Sequence, residues 1–252
     1  MVEMLKDAKS RFGVVSVKAE FEAEGTRIDE LLRLLDISRS AGIALTVKIG
    51  GCEAIRDLLE AKQIGVQFIV APMVETPYAA KKYVDAVRSV FPPEEQVDMK
   101  YLINLETITS FDNRVEIMKV ISGDPGADGI VFGRSDFVGS NGWEKESVNY
   151  DQTTAHILEV ARLCKSADKQ LVVGGGVSAK SVPALRQIHA IRLDRFETRK
   201  VVFDAEAALA GKPEQGLELA IEFELLWLQS KRDYYDRIAS EDSKRLAALK
   251  TR

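Results

Sequence analysis

Two acidic side chains follow two apolar runs at a spacing that suits metal chemistry. Residues 100–105 read KYLINL and lead to Glu106; residues 128–133 read DGIVFG and deliver Asp136 just beyond Gly133. The segment between them is helix-like, with Ser110 as its N-cap and Val115, Met118 and Ile121 at helical spacing. A strand, helix, strand unit of this length is a right-handed crossover, which makes the two strands parallel. Both carboxylates then lie at the same, C-terminal strand edge. Converging carboxylates suit a hard divalent cation, magnesium or manganese. The same residues admit a plainer reading, in which Glu106 caps the next helix and Asp136 closes a turn.

The elements that must position this pair alternate regularly. Strands are predicted at Val14–Phe21, Ile43–Ile49, Val66–Val70, the two runs above, Gln170–Val173 and His189–Phe196. Thr76-Pro77 is a strong helix start, and Thr26 with Asp29 reads as a capping box ahead of Ile28, Leu31, Leu32 and Leu35. Ile55, Leu58 and Leu59 are the apolar positions of another helix. The fold expected is an α/β barrel of TIM type over residues 1–252, one domain, with parallel strands. Seven strands are clear; the eighth lies in the N-terminal arm, residues 1–12, or is missing. Residues 214–252 form a helical extension, with Leu217, Ile221, Leu225 and Leu228 as one apolar stripe and Trp227 beside it. That stripe calls for a partner surface, and a homo-oligomer with contacts over about residues 214–238 is expected.

Composition removes several function classes. The net charge is −4 with no basic block, so neither nucleic acid nor an anionic membrane is an expected partner. No apolar run approaches a membrane span and the N-terminus is too polar for a signal peptide, so a cytoplasmic location is expected. Cys52 and Cys164 are expected to be reduced thiols, with Cys52 a small buried residue. With only His156 and His189, a three-histidine metal site is excluded, and any metal must rest on carboxylates and water. No nucleotide-binding glycine motif is present.

Other candidate positions carry two readings each. Gly174-Gly175-Gly176 before a helix is either a phosphate cradle or a tight turn, the turn being favoured. Glu20, Glu22 and Glu24 form either a base with its surroundings or a solvated cluster. Arg134 faces substrate or forms an ion pair outside the site. Glu197 and Arg199 in FETRK read as a structural salt-bridge network. Residues 139–150, around Trp143, form a polar loop long enough for a lid or an oligomer contact.

The segments EFEAEG, VKIGGCEA, APMVET, LINLET, GIVFGRSDF and RFETRK, in this order, resemble the HpcH/HpaI aldolase and citrate lyase family over roughly residues 14–200. The resemblance implies a metal-dependent carbon–carbon lyase acting on a 2-oxo acid or an acyl-CoA through an enolate. It implies Glu106 and Asp136 as ligands of Mg2+ or Mn2+. Gly133, Ser135, Asp136 and Lys48 would bind substrate, with N–H groups near Ser135 and Asp136 receiving its carboxylate. Lys48 stands where the family usually has an arginine at the enolate oxygen, and keeps the charge without the two-pronged geometry. The histidine base common in the family's aldolases is missing from FEAEGT. Lys48, Glu20 and Arg134 are therefore the catalytic candidates. The alternatives are a metal-free barrel enzyme for a phosphorylated substrate, anchored at Gly174–Gly176, and an inactive ligand-binding member.

Overall fold

The computed structural model describes residues 1–251. Eight strands close into a barrel in chain order: β1 (Val14–Glu20), β2 (Ala44–Lys48), β3 (Phe68–Ala71), β4 (Lys100–Leu105), β5 (Gly129–Gly133), β6 (Gln170–Gly174), β7 (Arg195–Glu197) and β8 (Val201–Asp204). The strands from β1 to β7 pair in parallel. β8 is antiparallel to both β7 and β1. This is a modified TIM-type barrel.

Alternation along the strands divides the core in two. Ile69, Ile103, Ile130 and Leu171 join the large apolar layer beneath the helices. Val70, Leu102, Val131 and Val172 form a separate small cluster. By the strand period of two, that cluster fills the barrel interior. Burial on both faces explains why these strands read as continuous apolar runs.

The eighth strand corrects the sequence expectation. The N-terminal arm is a helix, α1 (Val2–Phe12), which buries Leu5, Ala8 and Phe12. The missing strand is the VVFD segment directly after β7. Only Thr198, Arg199 and Lys200 separate the two, too few for a crossover, so the chain can return only as an antiparallel hairpin. Strand seven is also shorter than expected. Val182, Leu185 and Ile188 keep a helical period through α9 (Val182–His189), and pairing starts at Arg195.

The central crossover differs in detail. It holds two short helices, α5 (Ile108–Asp112) and α6 (Arg114–Ile121). The N-cap is Thr107, whose hydroxyl accepts from the Ser110 N–H; Ser110 is the third residue of that capping box. Met118 and Ile121 face inward, whereas Val115 is exposed. In α2 (Ile28–Ala41) the box is Arg27 with Glu30, and only Leu31 and Leu35 of the four expected apolar positions are buried. In α3 (Ile55–Ile64) Leu58 is buried, whereas Ile55 and Leu59 are exposed. Thr76 caps α4 (Pro77–Val90) as expected, accepting from the Ala79 N–H.

Because β8 runs backwards, the chain leaves the sheet at the N-terminal edge of the barrel. α10 (Ala205–Ala210) and α11 (Pro213–Lys250) follow from there. Gly216 lies against Phe12 and Phe203. The helix then climbs to the opposite edge, where the Tyr235 hydroxyl donates to Glu30 at the start of α2. Its inward face is Leu217, Ala220, Phe223 and Trp227. The stripe expected from sequence is thus split: Leu217 is buried, but Ile221, Leu225 and Leu228 are 54%, 61% and 50% exposed. No helix among the described residues is long and apolar enough to cross a membrane.

Candidate active site

A cavity of about 450 Å³ opens at the C-terminal edge of the parallel strands. It is where a barrel of this type does chemistry. Six carboxylates border it, Glu20, Glu22, Glu106, Asp136, Glu197 and Glu224, against the cations Lys18, Lys48 and Arg199.

Glu106, just after β4, is buried and rigidly held. Its Oε1 accepts from the Met73 N–H at 2.9 Å, its Oε2 accepts from the Asn104 amide, and Lys48 lies 3.4 Å away. Burial raises its carboxyl above the usual carboxylate range, although Lys48, Met73 and Asn104 oppose the shift; Asp136 adds to it. The side chain lies on Gly133 at the end of β5. A Cβ there would stand 2.6 Å from Glu106 Oε2. The glycine before Asp136 is therefore a matter of space. Asp136 itself is exposed to the cavity from α7 (Arg134–Ser140).

Two lysine-centred clusters complete the walls. Lys48 sits between Glu106 and Glu22, the latter at 3.2 Å. Lys18 sits between Glu197, to which it donates, and Glu20 at 3.1 Å. Burial works to lower both ammonium groups, but their carboxylate neighbours outweigh it and raise them. Both lysines are thus fixed cations, unsuited to the neutral amine that imine formation needs. Glu197 leans on Gly174 of β6 much as Glu106 leans on Gly133.

The structure brings Glu20, Lys48, Glu106, Gly133, Ser135 and Asp136 to one cavity, as the sequence suggested. Arg134 is the exception. Its side chain turns away and is 1% exposed. It donates to the carbonyls of Gly174, Gly175 and Val148, and to Asn149 Oδ1 and Ser181 Oγ. Burial without a carboxylate partner brings its guanidinium down to about 10. The substrate-facing role, and the ion pair weighed against it, both give way to a brace between α7, the glycine turn and residues 148–149.

The same brace decides other positions. Gly175 and Gly176 take positive φ values of 78° and 63°, the geometry of a tight turn, and Gly174 and Gly175 offer Arg134 their carbonyls. The loop after α7 is pinned by Arg134, and Trp143 packs edge-on to Phe137, with His156 beside both. That packing is at odds with a freely moving lid. Cys52 is only half-buried, not buried as expected, whereas Cys164 is buried; desolvation raises both thiols, the latter to about 12. Both are free cysteines and poor nucleophiles. Glu197 does join a salt-bridge network, as expected, but one that faces the cavity. Lys18, Asn104 and Glu224 were missed: Lys18 and Asn104 sit inside apolar runs, and Glu224 lies on a helix that sequence alone does not bring to this edge.

The donor set fits a hard cation. Asn104 gives its amide N–H to Glu106 and leaves Oδ1, which is buried, without a partner. Glu106, Asp136 and Asn104 all line the cavity. Magnesium and manganese accept such a set and keep several waters. Among the described residues no group of three or more acidic, histidine or cysteine side chains encloses a site, so a cation there depends on water and substrate.

The family model for HpcH/HpaI aldolase/citrate lyase matches residues 15–174, more than half of the chain. The chain belongs to this family. The match takes in β1 to β6 with the Glu106 and Asp136 pair, and stops before β7, β8 and α11. Family membership supports an enzyme of the lyase class. Solved structures agree on the fold. The HpcH/HpaI aldolase from Desulfitobacterium hafniense DCB-2 is similar with a TM-score of 0.64 at 14% identity, covering 78% of this chain and 82% of that one. An HpcH/HpaI aldolase/citrate lyase family protein from Burkholderia cenocepacia J2315 gives 0.61 at 14%, covering 79% and 84%. The citrate synthase SbnG gives 0.61 at 16%, covering 92% and 90%. At these identities the likeness concerns the fold alone. No curated protein matches the chain significantly.

Proposed function

We propose that this family member is a carbon–carbon lyase that cleaves, or forms, a bond next to the carbonyl of a 2-oxo acid, with Mg2+ or Mn2+ held by Glu106 and Asp136. The observation that carries this reading is that those carboxylates line one cavity together with a fixed ammonium, Lys48, 3.4 Å from Glu106. When bound, the cation supplies Lewis-acid polarisation of the substrate carbonyl. Lys48 places positive charge where the enolate oxygen develops, an arrangement that can contribute several kcal/mol to a transition state. The backbone at Ser135 and Asp136 receives the substrate carboxylate, and the Met73 N–H and the Asn104 amide hold Glu106 in place. A 2-oxo acid is favoured over an acyl-CoA. The cavity carries more carboxylates than cations, and only Arg199 joins Lys18 and Lys48 among its cationic lining, a poor setting for a phosphorylated carrier.

The test is exchange of the methyl protons of pyruvate in deuterated buffer with Mg2+ or Mn2+. Exchange that is abolished by Glu106→Gln and by Asp136→Asn is expected. No exchange with pyruvate or longer 2-oxo acids would overturn the lyase reading; binding without exchange would leave a ligand-binding role.

A further inference from the structure

We propose that Glu224, on α11, is the general base that takes the hydroxyl proton of a 4-hydroxy-2-oxo acid as its carbon–carbon bond breaks. The proposal rests on the lyase reading above and supplies the base that the missing histidine leaves open. It follows from an inventory of the cavity's carboxylates. Glu20 and Glu197 are held by Lys18, and Glu22 and Glu106 by Lys48. A carboxylate clamped by an ammonium is a weak base. Asp136 shares the wall assigned to the cation. Glu224 alone remains, and among the described residues no hydrogen bond reaches its carboxylate.

Its position is the one a base requires. In a closed eight-strand barrel, β4 and β5 lie across from β8 and β1. Glu106 and Asp136 belong to the first pair of strands. Glu224 stands with Glu20, Thr198 and Arg199 at the second. A substrate whose carboxylate end sits at the first wall directs its 4-hydroxyl toward the second. The groups facing Glu224 are Lys200 and Arg199 from the β7–β8 hairpin, and Glu24 and Glu20 from the end of β1 and the loop after it. Burial raises its carboxyl above the usual range, the two cations oppose this, and the two glutamates reinforce it. A raised carboxylate is better matched to proton transfer near neutrality. Glu224 also lies outside residues 15–174, so this role is not part of the region that matches the family.

The step balances. Glu224 takes the proton of the C4 hydroxyl, the oxygen lone pair forms the aldehyde carbonyl, and the C3–C4 bond breaks. Its electron pair becomes the enolate of the 2-oxo acid, whose oxygen faces Lys48. The enolate takes a proton at C3 from water, and Glu224 returns its own proton to the hydroxide so formed. One 4-hydroxy-2-oxo acid gives one 2-oxo acid and one aldehyde.

The test uses the full chain with Mn2+, pyruvate for methyl exchange and 4-hydroxy-2-oxopentanoate for cleavage. For Glu224→Gln, kcat of cleavage is expected to fall by about 10²–10⁴ while KM stays within about threefold. The acidic limb of the wild-type pH–rate profile should disappear in that variant. For Glu224→Ala, added formate should restore part of the rate. A Glu224→Gln variant that cleaves within about threefold of wild type overturns the base assignment alone. So does a loss of rate that leaves the acidic limb in place and that formate does not rescue, since that marks a structural role. A wild type that neither exchanges nor cleaves overturns the lyase reading and this assignment with it.

Discussion

The two lysine clusters set how single residues respond to pH. Burial acts to raise Glu20, but Lys18 beside it outweighs burial and holds the carboxyl below its ordinary value. A depressed carboxyl contributes stability that is present above its unfolded pKa and is lost as pH falls through the folded one. Lys18 is raised, so its share is complete below its unfolded pKa and is lost only as pH rises through the folded one. Between these limits Lys18 and Glu20 are both charged. Lys18→Met leaves Glu20 and Glu197 buried with no ammonium between them, at a cost on the order of 3 kcal/mol at neutral pH. That cost should shrink in mild acid as Glu20, deprived of its ammonium, takes up a proton. Urea unfolding at the two pH values checks this: the gap between variant and wild type should narrow on acidification, and a constant gap would contradict it.

At the scale of elements, Arg134 ties α7 to the β6 turn, to residues 148–149 and to Ser181 through five acceptors. Arg134→Met keeps much of the volume and strands those buried oxygens. A loss on the order of 3 kcal/mol is expected, read as a lowered denaturant midpoint. This residue also marks the limit of what the sequence disclosed. The parallel strands were legible because burial on both faces writes itself as apolar runs. Glu106 and Asp136 were legible because each follows such a run at a strand end. Arg134 sits between the same landmarks, yet nothing in one dimension says that its acceptors lie about 40 residues on, at Gly174 and Gly175. The reversal of β8 was hidden in the length of a three-residue link, which carries no apolar signal of its own. The buried face of α11 was misread because its partners, Phe12 and Phe203, come from opposite ends of the chain.

For the whole molecule, the split stripe on α11 bears on assembly. We propose that the chain self-associates through the face that carries Leu225 and Leu228, which its own barrel leaves uncovered. The double substitution Leu225→Lys with Leu228→Lys should lower the mass in solution while leaving thermal unfolding of the barrel unchanged; an unchanged mass would remove this face from any interface. The antiparallel closing strand has a further consequence, in the order of events during synthesis. Lys48, Glu106 and Asp136 are all made shortly after the midpoint of the chain, yet β1 has only one neighbour until residues 201–204 arrive to pair with Val14–Val17. A nascent chain that stops short of β8 holds the cavity wall that carries Glu106 and Asp136 but presents two open sheet edges, β1 and β7. Unpaired edges of that kind invite pairing with other chains. Closure and the arrival of Glu224 are then late and nearly simultaneous, so the complete cavity and the edge-free barrel come into being in one final stage.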